Sequence, residues 1–257
     1  MRINGSIIGS NVTPSFLSGA TGVWSMQNVE IANRFRSWPT QIVTNGLVLF
    51  LDANNTNSYP GSGTSWYDLS GNGNTGTLTN GPTFSSVNGG TIVFDGIDDY
   101  VNVANASSLN ASAQTISVWY NATTIPGRSA TIIGKHDSLG SWNGYNIFTE
   151  NWEEIKVGAT GYYIMPPTTG TSGIWYLLTL AYTANSSMTC YVNGVSSGTT
   201  AIPNLSISSQ PLRIGRSVDS FWSAFTGKIS HVTVYNRELT ASEVLQNFNA
   251  TRTKFGV

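Results

Sequence analysis

The chain is a succession of apolar runs of three to eight residues, and turn dipeptides interrupt it before most of them could extend into an amphipathic helix. The runs are Leu47 to Leu51, Thr91 to Phe94, Val101 to Val103, Thr115 to Tyr120, Thr131 to Gly134, Tyr145 to Phe148, Trp175 to Tyr182, Met188 to Val192, Leu212 to Ile214 and Lys228 to Tyr235. Between them stand Asn80-Gly81, Asp95-Gly96, Asn143-Gly144 and Asn193-Gly194, pairs that readily take the positive φ of tight turns. Strands of this kind with alternating faces bury one side only, so two antiparallel sheets must cover each other. The expected class is all-β, a two-sheet antiparallel jelly-roll sandwich.

Composition agrees. Only 10% of the 257 residues are charged, far below the share that long solvated helices need, and aromatic residues make up 11%. The formal net charge is −1 and the twelve basic residues are scattered, so nucleic acid and anionic membranes are not expected partners. No apolar stretch reaches the roughly 20 residues of a membrane helix, so no membrane insertion is expected. The opening residues, Met1 to Ile8, lack the continuous apolar core of a secretion signal, which leads to the expectation of a protein not secreted by that route. Cys190 is the sole cysteine, which excludes an internal disulfide and reads as a buried strand thiol.

The two ends differ from this pattern. Residues 1–43 read as an arm: a Pro/Ser/Gly loop, then a short helix capped by Ser25 and stopped at Trp38-Pro39. Its Trp24, Ile31, Phe35 and Trp38 make too small a core to fold alone and are the candidate anchoring residues. Residues 44–250 form the sandwich, and 251–257 read as a tail. Near the end, Thr240-Ala241-Ser242-Glu243 fits a capping box, followed by Val244, Leu245 and Phe248 on one helical face.

Reactive constellations are scarce. Glu150 and Glu154 would share a strand face, but four residues separate them by roughly 13 Å, too far for either glycosidase geometry. Glu153 would point to the other face. His136 and His231 stand apart from any nucleophile motif. No catalytic residue is assigned and no enzyme is expected. Trp142, Trp152, Tyr162, Phe221 and Trp222 fall in or beside Gly/Ser-rich loops, where flat rings can stack on a sugar or fill a neighbouring subunit's pocket.

Several segments carry a family resemblance. Trp66 to Gly76 (WYDLSGNGNTG), Phe94 to Val101 (FDGIDDYV), Ile116 to Trp119, Trp175 to Tyr182, Tyr191 to Gly194, Leu212 to Arg216 and Phe225 to Thr240 resemble, in collinear order, the LamG-like jelly roll of the concanavalin A-like lectin/glucanase superfamily. The resemblance covers about four-fifths of the chain. It implies a binding module with Trp119 and Trp175 in the sandwich core. LamG-like and pentraxin-like relatives hold calcium with rim-loop carboxylates, so if an ion binds here, Asp137 and Asp219 are the candidate metal ligands, and otherwise no cofactor is implied. Asp98 and Asp99 read first as turn caps, with calcium ligation as the alternative. Gly19 to Met26 (GATGVWSM) is similar to a segment of structural proteins of marine tailed bacteriophages. Together the two resemblances imply a non-enzymatic virion component of head, tail or fibre, assembled in the host cytoplasm. Its partners would be other virion proteins through the arm, with cell-surface glycans or a homo-oligomer left open. The alternative is a free-standing glycan-binding module.

Overall fold

The structure, a computed structural model, describes residues 41–125, 129–137, 143–149, 171–219 and 222–257, and the backbone pairing of 7–9, 22–24, 155–157 and 162–164. Among these, β1 (Ile7–Gly9) and β2 (Gly22–Trp24) pair in a small antiparallel ladder. The proposed arm helix, with Ile31, Phe35 and Trp38, lies outside the described residues, as do the side chain of Trp24, all of Trp142, Trp152 and Phe221, and the glutamates Glu150, Glu153 and Glu154.

The sandwich strands are β3 (Leu47–Asp52), β4 (Ser65–Trp66), β5 (Gly76–Thr79), β6 (Thr83–Ser85), β7 (Thr91–Asp95), β8 (Tyr100–Val103), β9 (Ala113–Ala122), β10 (Ala130–His136), β11 (Gly144–Thr149), β12 (Ile155–Val157), β13 (Tyr162–Ile164), β14 (Trp175–Thr183), β15 (Ser187–Val192), β16 (Val195–Ala201), β17 (Leu212–Ile214), β18 (Ser223–Ala224) and β19 (Thr226–Tyr235). The first sheet runs β16-β15-β14-β9-β19-β7-β6, with β3 also on β19. The second runs β13-β12-β11-β10-β17-β8-β5-β4, with β18 on β10. This is the expected two-sheet sandwich.

Register explains how the core is built. Paired residues share a face, and on the second sheet Leu78, Val101, Ile214, Ile133 and Ile147 lie in one cross-strand row. On the first sheet Cys190, Leu180, Ile116, Val234 and Leu49 do the same. All ten are buried in a single core between the sheets. At roughly 1.5–3 kcal/mol for each fully buried aliphatic side chain, these rows are the main drive for closing the sandwich. Cys190 sits there as a strand thiol with no exposed surface.

Of the four turn dipeptides, Asn193-Gly194 closes a tight hairpin, β15 to β16, with both residues at positive φ. Asn80-Gly81 and Asp95-Gly96 instead carry the chain from one sheet to the other. The segment 68–74 has a third use. Asp68 Oδ1 accepts from Phe50 N, Leu69 N donates to Phe50 O, and Asn72 and Asn74 donate to Leu47 O and Val48 O, which seals the outer edge of β3 without adding a strand.

Helix α1 (Ala241–Thr251) lies over the outer face of the first sheet. Its capping box forms as expected, and Arg237 adds a forked pair, Nη2 to Glu243 Oε1 at 2.6 Å and Nη1 to Oε2 at 3.0 Å. That hydrogen bonding from Arg237, with support from Thr240 against the opposing effect of burial, holds the Glu243 carboxyl at about 2. A depressed carboxylate stabilises the fold above its ordinary range and loses the effect as pH falls through 4.5 toward 2. Glu243→Ala is expected to cost about 1–2 kcal/mol at pH 7 by urea unfolding, with the deficit shrinking as the pH falls toward 2.

Two expectations change here. Trp119 and Trp175 are buried, but between sheet and helix rather than between sheets, in a cluster with Leu177, Phe248 and Phe255. Residues 251–257, read as a tail, are partly core: Thr251 and Phe255 are buried, and the Phe255 ring lies 4.2 Å from that of Trp119. The sequence reading stopped the helix face at Phe248 and so missed the turn that folds Phe255 back.

Candidate functional site

One strand position away from the apolar row of the second sheet runs a polar row on the opposite face. In register it reads Ser65, Thr77, Asn102, Arg213, Gly134 and Asn146, and the pairing continues to Lys156 and Tyr163. The sequences Tyr-Val-Asn-Val and Leu-Arg-Ile produce it directly, since alternate residues of a strand face opposite ways. Thr77 is exposed, Asn102 and Arg213 are half-buried, and Asn146 is buried, so the row passes from open surface to a covered part of the sheet.

Arg213 dominates the open part. Its guanidinium carbon lies 4.5 Å above the centroid of the Tyr100 ring, and Nη1 donates to Ser217 O at 3.2 Å. Beside it, Gly134 makes room for the Asn146 amide and the His136 ring, since a Cβ there would come within 2.6 Å of Asn146 Oδ1 and 3.1 Å of His136 Cδ2.

The covered part is held by His136. Its Nδ1 lies 2.8 Å from Asp137 O, and because a carbonyl only accepts, Nδ1 carries the proton. Nε2 then accepts from the Ser217 hydroxyl at 2.9 Å, and Ser217 Oγ accepts from Asp219 N at 2.9 Å. Burial pushes the imidazole pKa down, against the pull of Asp219 and Asp137. The neutral ring thus ties the loop after β17 to β10, and that loop carries the carbonyl that orients Arg213.

The candidates named from sequence fare differently. Asp137, Asp219 and Trp222 are brought together around His136. The Asp137 carboxylate has both oxygens occupied, Oδ1 by Ser208 Oγ and Oδ2 by Asn143 Nδ2 at 2.9 Å, while Asp219 is buried. Trp222 requires a correction. Expected as an exposed ring, it is 4% accessible, its centroid 4.6 Å from that of Phe148 and 6.3 Å from that of His136. The chain around it folds back onto the sheet through β18, which nothing in the local sequence signals. Tyr162 pairs with Val157, on the register row of the buried Tyr145 and Lys135, and its side chain lies outside the described set. Asp95, Asp98 and Asp99 cluster, and the turn uses two of them: Asp99 Oδ2 accepts from Asp95 N and Asp95 Oδ1 from Ile97 N. Sequence reasoning missed Tyr100, Asn102, Arg213 and His136 as a group. The alternation of polar and apolar residues in β8 and β17 was the available signal.

Lys135 also supports the rim. It points inward, 2% exposed, and donates to Ser208 O. Burial lowers its pKa to about 8, partly offset by Asp137. A depressed amine sheds its proton in the folded state first, so stability is expected to rise between about pH 8 and pH 10, by about 2 kcal/mol. Above pH 10 the buried tyrosines Tyr145, Tyr182 and Tyr235, whose pKa values burial raises, reverse the trend. Denaturation across this range should show a maximum near pH 10, and Lys135→Met should remove the rising limb. A flat profile in the parent would contradict this account.

Comparison with known proteins fits the geometry. No curated protein sequence matches the chain. Among solved structures, the binding domain of Paraclostridial mosquitocidal protein 1 superimposes with a TM-score of 0.64 at 19% identity, over 80% of this chain and 52% of that one. Domain 4 of AbnA, a GH43 extracellular arabinanase from Geobacillus stearothermophilus solved with arabinotriose, gives 0.61 at 17% identity, over 80% of this chain and 98% of that one. The botulinum neurotoxin type G receptor binding domain gives 0.61 at 15%, over 80% and 51%. The chain thus spans about half the length of the two toxin domains. These likenesses are of fold. A family profile aligns with residues 95–245, well over half of the chain, and by that match this protein belongs to the Concanavalin A-like lectin/glucanases superfamily, laminin-G type.

Proposed function

We propose that this chain is a non-enzymatic, lectin-like component of a tailed-bacteriophage virion, anchored through residues 1–43 and presenting the polar face of its second sheet to a glycan. The observation that carries the binding reading is the row Thr77, Asn102, Arg213 with Tyr100, which offers hydroxyl, amide and guanidinium groups beside an aromatic ring on an open, rigid sheet. A domain matched over 98% of its own length has been solved with arabinotriose, which supports a sugar as the ligand.

The polarity of the molecule supports the anchoring part. Residues 41–44 run along α1: Val43 N donates to Asn247 Oδ1, Tyr235 OH to Val43 O, and Gln246 Nε2 to Gln41 O. Residues 41–44 therefore stand on the helix side, across both sheets from Arg213. Attachment there keeps the polar face free. The resemblance of Gly19 to Met26 to phage structural proteins supplies the virion context.

Glycan-array binding of the full chain, paired with assembly of a chain lacking residues 1–40, tests both parts. The truncated protein should bind the same glycans yet fail to enter particles. Normal incorporation would remove the anchoring role and leave the second reading, a free-standing glycan-binding module. Release of reducing ends from bound polysaccharide would overturn the non-enzymatic assignment.

A further inference from the structure

Arg213 has a feature that the neutral composition of the chain makes conspicuous. It is half-buried in the middle of a sheet, yet no carboxylate pairs with it among the described residues, while the buried Asp52 and the capping Glu243 both have cationic neighbours. Among the described residues one of its five N–H groups is used, by Ser217 O, and the buried Nε has no acceptor. The guanidinium carbon lies 4.5 Å from the centroid of the Tyr100 ring, a contact that holds the cation on this face. A half-withdrawn cation with unmet donors is matched by an anion that can take two parallel hydrogen bonds.

Resting on the glycan-binding reading, we propose that the polar face selects sugars that carry a carboxylate, with the Arg213 fork engaging the carboxylate and Asn102 and Thr77 engaging ring hydroxyls next to it. The row gives the spacing: adjacent strands stand about 4.8 Å apart, close to the width of one sugar ring, so Arg213 and Asn102 address neighbouring substituents of a single residue. A sulfate ester can accept the same fork through two of its oxygens, so a sulfated polymer is the arm of the test that separates the carboxylate from charge alone.

The test uses the intact chain and ligands that differ only at the carboxyl group. Calorimetric titration compares trigalacturonate, its methyl ester, galactotriose, sialyllactose and dextran sulfate. The expected result is that the free acid binds at least tenfold tighter than its ester or galactotriose, and that Arg213→Lys, which keeps the charge but not the fork, weakens the acid at least tenfold. Binding of sialyllactose as well as trigalacturonate identifies the carboxylate as the shared determinant, whereas binding of one alone assigns the acidic sugar class. Equal affinity for acid, ester and galactotriose would overturn this proposal and leave the glycan reading standing. Dextran sulfate binding that survives Arg213→Lys together with the acid would also overturn it, because charge alone would then suffice. Failure of every sugar to bind would remove the underlying reading. The ester comparison needs no variant, so it decides the matter even where a substitution disturbs folding.

Discussion

Trp119→Ala is expected to destabilise the protein by about 3–5 kcal/mol, among the largest losses from any single truncation. The ring has no exposed surface, stacks at 4.2 Å on Phe255 and 5.9 Å on Phe248, and donates from Nε1 to Thr251 Oγ1 at 2.8 Å. Thr251 in turn donates to Asn247 O, and Asn247 Oδ1 holds Val43 N. One side chain therefore links sheet, helix and the exit of the arm. Trp119→Phe keeps much of the stacking and loses the hydrogen bond, so it should cost about 1–2 kcal/mol. Urea unfolding measures both. If alanine costs less than about 1 kcal/mol, the helix is not held to the sheet through this residue.

That prediction draws on a layer that sequence reading placed wrongly. Apolar runs with alternating faces located ten of the strands, because burial on one side writes itself into every second residue. Edge strands leave no such mark. Val195–Ala201, Val-Ser-Ser-Gly-Thr-Thr-Ala, has no apolar alternation and becomes a strand because β15 offers it a ladder of hydrogen bonds. Trp119 and Ile116 lie on opposite faces of β9, and sequence alone does not say that the second face of a sheet also has a roof. The capping box announced α1, yet what α1 covers depends on contacts more than 100 residues apart.

The binding face was legible in a different sense. Leu-Arg-Ile and Tyr-Val-Asn-Val state that Arg213, Tyr100 and Asn102 face away from the core, but β8 and β17 are distant in sequence and only the register makes them neighbours. Loop aromatics drew attention because rings are visible in a sequence, whereas a cross-strand row is visible only after folding.

Trp222 shows the difference most sharply, and Trp222→Ala is expected to lower stability by about 3–4 kcal/mol, a shift of about 10 °C in melting temperature for a domain of this size. An exposed contact residue would leave the melting temperature nearly unchanged. Here the ring lies 4.6 Å from Phe148 and edge-on to His136, closing the covered half of the outer face. Removing it opens a cavity beside the His136 to Ser217 hydrogen bond, and Ser217 O is the group that orients Arg213. Sugar affinity should therefore fall together with stability, although the ring touches no ligand. Trp222→Phe separates the two roles: it refills most of the cavity, so both stability and affinity should recover in parallel. Recovery of stability without recovery of binding would mean that Trp222 itself contacts the ligand.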